Sequence, residues 1–83
     1  MPAEVTVYTT RLCAYCYLAK RLLKKRSIAF DEVDVSNRDD LRGWLVEKTG
    51  RRTVPQIFVR GDPIGGYHEL AALDRQGKLA ATA

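Results

Sequence analysis

Cys13, Ala14, Tyr15 and Cys16 place two thiols three positions apart, directly after an alternating apolar segment and directly before an amphipathic one. That junction puts Cys13 at the N-terminus of a helix and Cys16 about one turn further in. A helix N-terminus carries partial positive charge and unpaired N–H groups, and both favour a thiolate over a thiol. Cys13 is therefore expected to be the nucleophile, with Cys16 less exposed inside the first turn. The charge pattern agrees, because no acid occurs between Val5 and Phe30 while Arg11, Lys20, Arg21, Lys24, Lys25 and Arg26 supply six cations. Only Arg11 is close to the thiols in sequence, and exposed charges beyond a Debye length of ~8 Å are largely screened.

Blander readings compete with this one. A CxxC is half of a zinc site, but zinc takes four ligands and His68 is the only other soft candidate. Two inert buried cysteines are conceivable, although a helix start is the setting that makes a cysteine reactive. The basic face of the helix is most simply solvated surface, and it lacks the interleaved aromatics of a nucleic-acid platform. Tyr15, between the thiols, is expected to wall a groove.

The elements that must position these residues are legible from periodicity. Glu4 to Thr9 alternates Val5 and Val7 with Thr6 and Tyr8, the pattern of a strand. From Ala14 to Arg26, Leu18, Ala19, Leu22 and Leu23 fall three and four apart opposite a cationic side, which is an amphipathic helix. Ile28 to Val35 reads as a second strand, with an apolar phase slip that suggests a bulge near Asp31. Ser36 and Asn37 are expected N-caps for a helix over Arg38 to Thr49, with Asp39 and Asp40 in its first turn and Gly50 at its end. Gln56 to Val59 is a short apolar strand, Arg60 to Pro63 a turn, and Ile64 a brief strand before Gly65 and Gly66. Tyr67 to Gln76 forms the last helix, stopped by Gly77, and Lys78 to Ala83 reads as a fraying tail.

The order β-α-β-α-β-β-α predicts an α/β fold: a small mixed sheet flanked by helices, parallel across the first crossover and antiparallel at the tight turn. At 83 residues, 46% hydrophobic and 29% charged, the chain is expected to form a single domain over residues 1–83 with one modest core. No apolar run approaches the roughly 18 residues of a membrane span, and the start resembles no secretory signal, so the expected compartment is the cytoplasm. There, two cysteines are poor candidates for a structural staple. The 14 Lys and Arg exceed the 10 Asp and Glu to give +4, with a pI near 9.3, yet neither a nucleic acid nor a membrane is expected as partner.

Three motifs together carry a resemblance. Cys13-Ala14-Tyr15-Cys16 after a Val-Tyr-Thr-Thr strand, Thr53-Val54-Pro55-Gln56 before the third strand, and Ile64-Gly65-Gly66 before the last helix resemble a bacterial glutaredoxin of the thioredoxin fold, over essentially the whole chain. The resemblance implies a cis Pro55 facing the redox site, glutathione as reductant, and Val54 backbone groups holding its cysteinyl part. It implies that Tyr15, Gln56 and Arg52 or its neighbour Arg51 line the glycine end, with Thr53 beside them. Gly66, Tyr67 and His68 would offer N–H groups to the γ-glutamyl carboxylate.

The family often has Pro where Ala14 stands, Lys where Thr10 stands and an acid where His68 stands, so Arg11 and Glu69 are expected to substitute in part. The implied activity is reduction of protein disulfides and of glutathionylated proteins, coupled indirectly to glutathione reductase, by a monomer. A second expectation, kept open by the small Ala14, is a dimer that carries a [2Fe-2S] cluster on Cys13 and glutathione. A redoxin reduced by thioredoxin reductase is a third.

Overall fold

In a computed structural model, residues 4–79 are described. Strand β1 (Val5–Thr9) leads into helix α1 (Ala14–Lys25), then β2 (Phe30–Asp34), α2 (Asp39–Thr49), β3 (Gln56–Val59), β4 (Asp62–Gly65) and α3 (Tyr67–Arg75). The sheet order is β2-β1-β3-β4. β1 runs parallel to β2 and antiparallel to β3, and β3 pairs antiparallel with β4, as the crossover and the tight turn predict.

Alternation along the central strands builds a core on each face. Val5, Val7, Ile57 and Val59 pack with Ala19 and Leu23 of α1 and Leu70 of α3. Phe58 packs with Val35 and with Leu45 of α2, supported by Tyr8, Val33, Leu41 and Trp44. Tyr8, Trp44 and Phe58 meet ring to ring at centroid distances of 5.2 to 5.7 Å. Among the described residues, no helix is long and apolar enough to cross a membrane.

Four expectations need correction. β2 has no bulge at Asp31, since its register runs unbroken from Val5 opposite Phe30 to Thr9 opposite Asp34. The phase slip has another cause: Phe30 joins the α1/α3 core and Val33 the α2 core, so an edge strand covered on both faces alternates for each face in turn. The irregularity lies instead between β3 and β4, where Ile57 faces Gly65 but Phe58 faces Pro63, leaving Ile64 as the extra residue. The hairpin turn is correspondingly tighter than the sequence suggests. Arg60 (φ 50°) and Gly61 (φ 84°) alone make it, and Asp62 and Pro63 already belong to the strand.

Neither Ser36 nor Asn37 caps α2. Arg38 stands at its N-cap without a side-chain hydrogen bond, while Ser36 Oγ accepts from the Arg11 N–H at 2.9 Å and so ties the loop before α1 to the end of β2. Lastly, the segment after Gly77 is not wholly a fraying tail. The Lys78 N–H bonds the Leu73 carbonyl at 2.9 Å, and Leu79 is only 3% exposed within the α1/α3 core, while residues 80–83 lie outside the described part. Leu79→Ala should therefore lower unfolding free energy by about 2 to 5 kcal/mol in urea denaturation. A loss under about 0.5 kcal/mol would place the residue outside the core.

Candidate active site

Cys13 is the N-cap of α1 in extended backbone (φ −147°, ψ 106°), so its sulfur turns back over the first helical turn. Sγ accepts a hydrogen bond from the Cys16 N–H at 3.1 Å, using one of the donors that a helix start leaves without an internal partner. On the other side, the Cys13 thiol donates to the Val54 carbonyl oxygen at 3.6 Å. α1 carries no acid in its first turn to oppose a negative sulfur. Cys16 differs in every respect. It is 2% exposed, and its thiol is pushed up to about 12, chiefly by burial and then by its hydrogen bond with Cys13.

Val54 and Pro55 are joined by a cis peptide in the loop between α2 and β3. Three shallow concavities meet at Val54. One, of about 270 Å³, is walled by Tyr15, Tyr67 and His68 and floored by Thr53, Val54, Pro55 and Gly66, with Arg51 and Glu69 at its edge. Tyr15 is half exposed and stacks on Tyr67 (5.9 Å, 28°) and against His68 (5.2 Å). Gly66 allows the close approach, since a Cβ there would meet the Pro55 carbonyl oxygen at 3.1 Å. A second hollow, of about 570 Å³, is lined by Thr10, Arg11, Leu12, Ser36, Arg42 and Val54. The third, of about 440 Å³, brings Arg42, Arg51 and Arg52 to Thr53 and Val54.

Of the residues singled out by sequence, Cys13, Tyr15, Thr53, Val54, Pro55, Gly66, Tyr67 and His68 come together around one sulfur-bearing groove. Gln56 does not line it. Its side chain is 1% exposed, and Nε2 donates to the Thr53 carbonyl at 2.8 Å, so it braces the loop from within. Arg52 lies with Arg42 in the third hollow, while its neighbour Arg51 reaches the aromatic groove and pairs with Glu69. That pairing holds the Glu69 carboxyl below the usual range. The Gly66 backbone helps to hold it low, and Tyr67 and His68 open the first turn of α3 beside it. Arg11 stands in the second hollow, and its charge acts on Asp34, whose carboxyl Ser36 and then Arg11 and Lys20 hold low.

Arg42 was not marked in the sequence. On α2 it reads as one more exposed cation, and only the packing of α2 beneath the Val54 loop brings it to the two hollows that adjoin the groove at Val54. The arrangement suits thiol exchange: an N-capped sulfur, an open backbone segment beside it, helix N–H donors at one end and arginines at the other.

Comparison with known proteins agrees with this chemistry. The family model described as Glutaredoxin matches residues 5–64. A glutaredoxin of Pseudomonas aeruginosa is 43% identical over 77 residues, spanning 93% of this chain and 92% of that protein. Glutaredoxin 3 of Escherichia coli is 40% identical over 77 residues, spanning 93% of each. Among solved structures, a buckwheat glutaredoxin in complex with glutathione superimposes with a TM-score of 0.90 at 28% identity, over 96% of this chain and 76% of that one. The solution structure of glutaredoxin from Brucella melitensis does so at 0.85 and 40% identity, over 96% and 87%.

Proposed function

The chain belongs to the glutaredoxin family, and we propose from that premise that Cys13 turns over glutathione mixed disulfides in the groove around Val54. It is a glutathione-dependent thiol–disulfide oxidoreductase with a thioredoxin-like fold. The observation that carries the assignment of Cys13 is its sulfur, held by the Cys16 N–H at the mouth of the groove while Cys16 itself is buried.

Glutathione lies extended along Val54. Its γ-glutamyl carboxylate meets the Tyr67 and His68 N–H groups, its cysteinyl part pairs with the Val54 backbone, and its glycine carboxylate reaches the cations Arg42 and Arg52. In the monothiol route the Cys13 thiolate attacks the glutathionyl sulfur, forming a Cys13–glutathione disulfide as the protein thiolate departs and takes up a proton. A glutathione thiolate then attacks that glutathionyl sulfur, giving glutathione disulfide and restoring the Cys13 thiolate.

A dithiol route is open to protein disulfides, because Cys16 can attack the mixed disulfide at Cys13. Once Cys13 is in a disulfide, its charge and its hydrogen bond no longer oppose ionisation of Cys16, whereas burial still does. Cys16 is thus a slower partner than Cys13. Glutathionylated and disulfide-bonded proteins are the substrates, glutathione reductase regenerates the reductant, and the cytoplasm supplies the glutathione pool. The [2Fe-2S] reading rests on Ala14 alone, since Cys13 would be this chain's one ligand and a second chain and glutathione would supply the other three.

With NADPH, glutathione and glutathione reductase the chain should reduce the mixed disulfide of glutathione and 2-mercaptoethanol, and with thioredoxin reductase alone it should not. Chemical-shift changes on adding glutathione should centre on Tyr15, Val54 and Gly66. A map centred on Arg26, Asp74 and Gly77, at the opposite end of α1, would overturn the groove.

A further inference from the structure

Glutathione along Val54 leaves the other side of the Cys13 sulfur uncovered, and that side has its own character. Leu12, at the rim of the hollow with Thr10 and Arg11, is 100% exposed and Tyr17 is 61% exposed, so one large apolar side chain precedes the nucleophile by one position and another follows it by four, neither packed on the core. Tyr17, Arg21 and Lys24 follow Cys13 along α1 at intervals of four, four and three residues, which keeps them on one exposed stripe about 16 Å long.

The other cations of the helix are committed: Lys20 pairs with Glu32 at 2.9 Å, Arg26 with Asp74 at 2.6 Å, and the charge of Lys25 also falls on Asp74. Arg21 and Lys24 have no ion-pair partner among the described residues, and α1 contains no acid. The stripe therefore changes along its length from a sulfur through an aromatic ring to two unpaired positive charges.

We infer that this stripe docks the protein part of the substrate, and that it selects proteins bearing an apolar residue beside the reactive cysteine and acidic residues roughly 12 to 16 Å away. The inference rests on the glutathione reading above, because the groove side must be filled by glutathione for the protein to lie on α1. Apolar contact at Leu12 and Tyr17 holds the protein near the sulfur, and the charge of Arg21 and Lys24 sets which proteins arrive fastest. A nucleic acid is the less fitting occupant, since the stripe offers one aromatic ring rather than a series of stacking platforms.

The test uses two glutathionylated peptides that differ only in an acidic segment, with Glu in one and Gln in the other, alongside the mixed disulfide of glutathione and 2-mercaptoethanol. The wild-type chain should favour the acidic peptide by about tenfold in kcat/KM, and the preference should shrink as salt is raised from about 0.02 to 0.3 M. Arg21→Glu with Lys24→Glu should reverse the preference while leaving the small disulfide within about twofold, as neither residue touches the groove. Equal wild-type rates on the two peptides, or a preference that survives the double variant, would overturn the inference. So would a double variant that loses retention on immobilised RNA with its peptide preference intact. Failure to reduce the small disulfide would instead overturn the glutathione reading, which keeps the two outcomes apart.

Discussion

Cys13→Ser should remove glutathione-dependent reduction of a small glutathionylated disulfide, lowering kcat/KM by at least about a thousandfold, while Cys16→Ser retains most of it. The asymmetry follows from position. Cys13 is the half-buried N-cap whose sulfur receives the Cys16 N–H and faces Val54, whereas the Cys16 sulfur lies in the core side of α1. The donor to Cys13 is the Cys16 backbone N–H, so serine at position 16 preserves it. With a protein disulfide, which needs the second thiol for resolution, Cys16→Ser should lose activity. Steady-state assays with the two substrates separate these cases. Equal loss in both variants on the glutathionylated substrate would falsify the monothiol route.

The second large effect is selective chemistry at the two thiols. Iodoacetamide at pH 7 should label the folded chain once, at Cys13, with Cys16 at least about a thousandfold slower than an ordinary free cysteine. With its thiol pushed up to about 12, Cys16 holds a thiolate fraction on the order of one in 100,000 at pH 7, and only the thiolate reacts. Burial is the main cause. The hydrogen bond and charge of Cys13 add to it, while a backbone hydrogen bond from Thr10 and the charge of Lys20 oppose it.

The same displacement has a defined sign for stability. Its ordinary value is 9.0, so between about pH 9 and about 12 the unfolded chain loses the Cys16 proton while the folded chain keeps it. Unfolding free energy should therefore fall as pH rises through that window, with no contribution from this group below it, and Cys16→Ala should flatten the decline. Mass spectrometry over time in the native state and after urea measures the labelling. Fast double labelling of the folded chain at pH 7 would show that Cys16 is neither buried nor held as a thiol.

Chemistry that depends on neighbours in sequence was legible without coordinates. A strand followed by Cys-x-x-Cys and an amphipathic run puts the first sulfur at a helix start whatever the rest of the chain does, because helix geometry ties residues 13 and 16 together locally. Gly66 before α3 and Pro55 before β3 were legible in the same way, each carrying a backbone requirement of its own. Helix and strand order followed from periodicity, and with it the mixed sheet.

What tertiary structure alone decided is which side chains from separate elements face the same space. Arg51 and Arg52 are adjacent and chemically alike and both line the hollow with Arg42, yet only Arg51 also reaches the aromatic groove and pairs with Glu69. Only the packing around the loop distinguishes them, and composition carries no record of that. Gln56 looks like a ligand-binding amide until the packing of β3 buries it, after which its most available acceptor is the Thr53 carbonyl. The phase slip in β2 mimics a bulge because one strand edge serves two cores, and Leu79 reads as tail because its partners lie in strands and helices far back in the chain. Local sequence determined where the reactive sulfur sits. Long-range packing, which depends on contacts between segments tens of residues apart, decided what surrounds that sulfur and from which side each partner approaches.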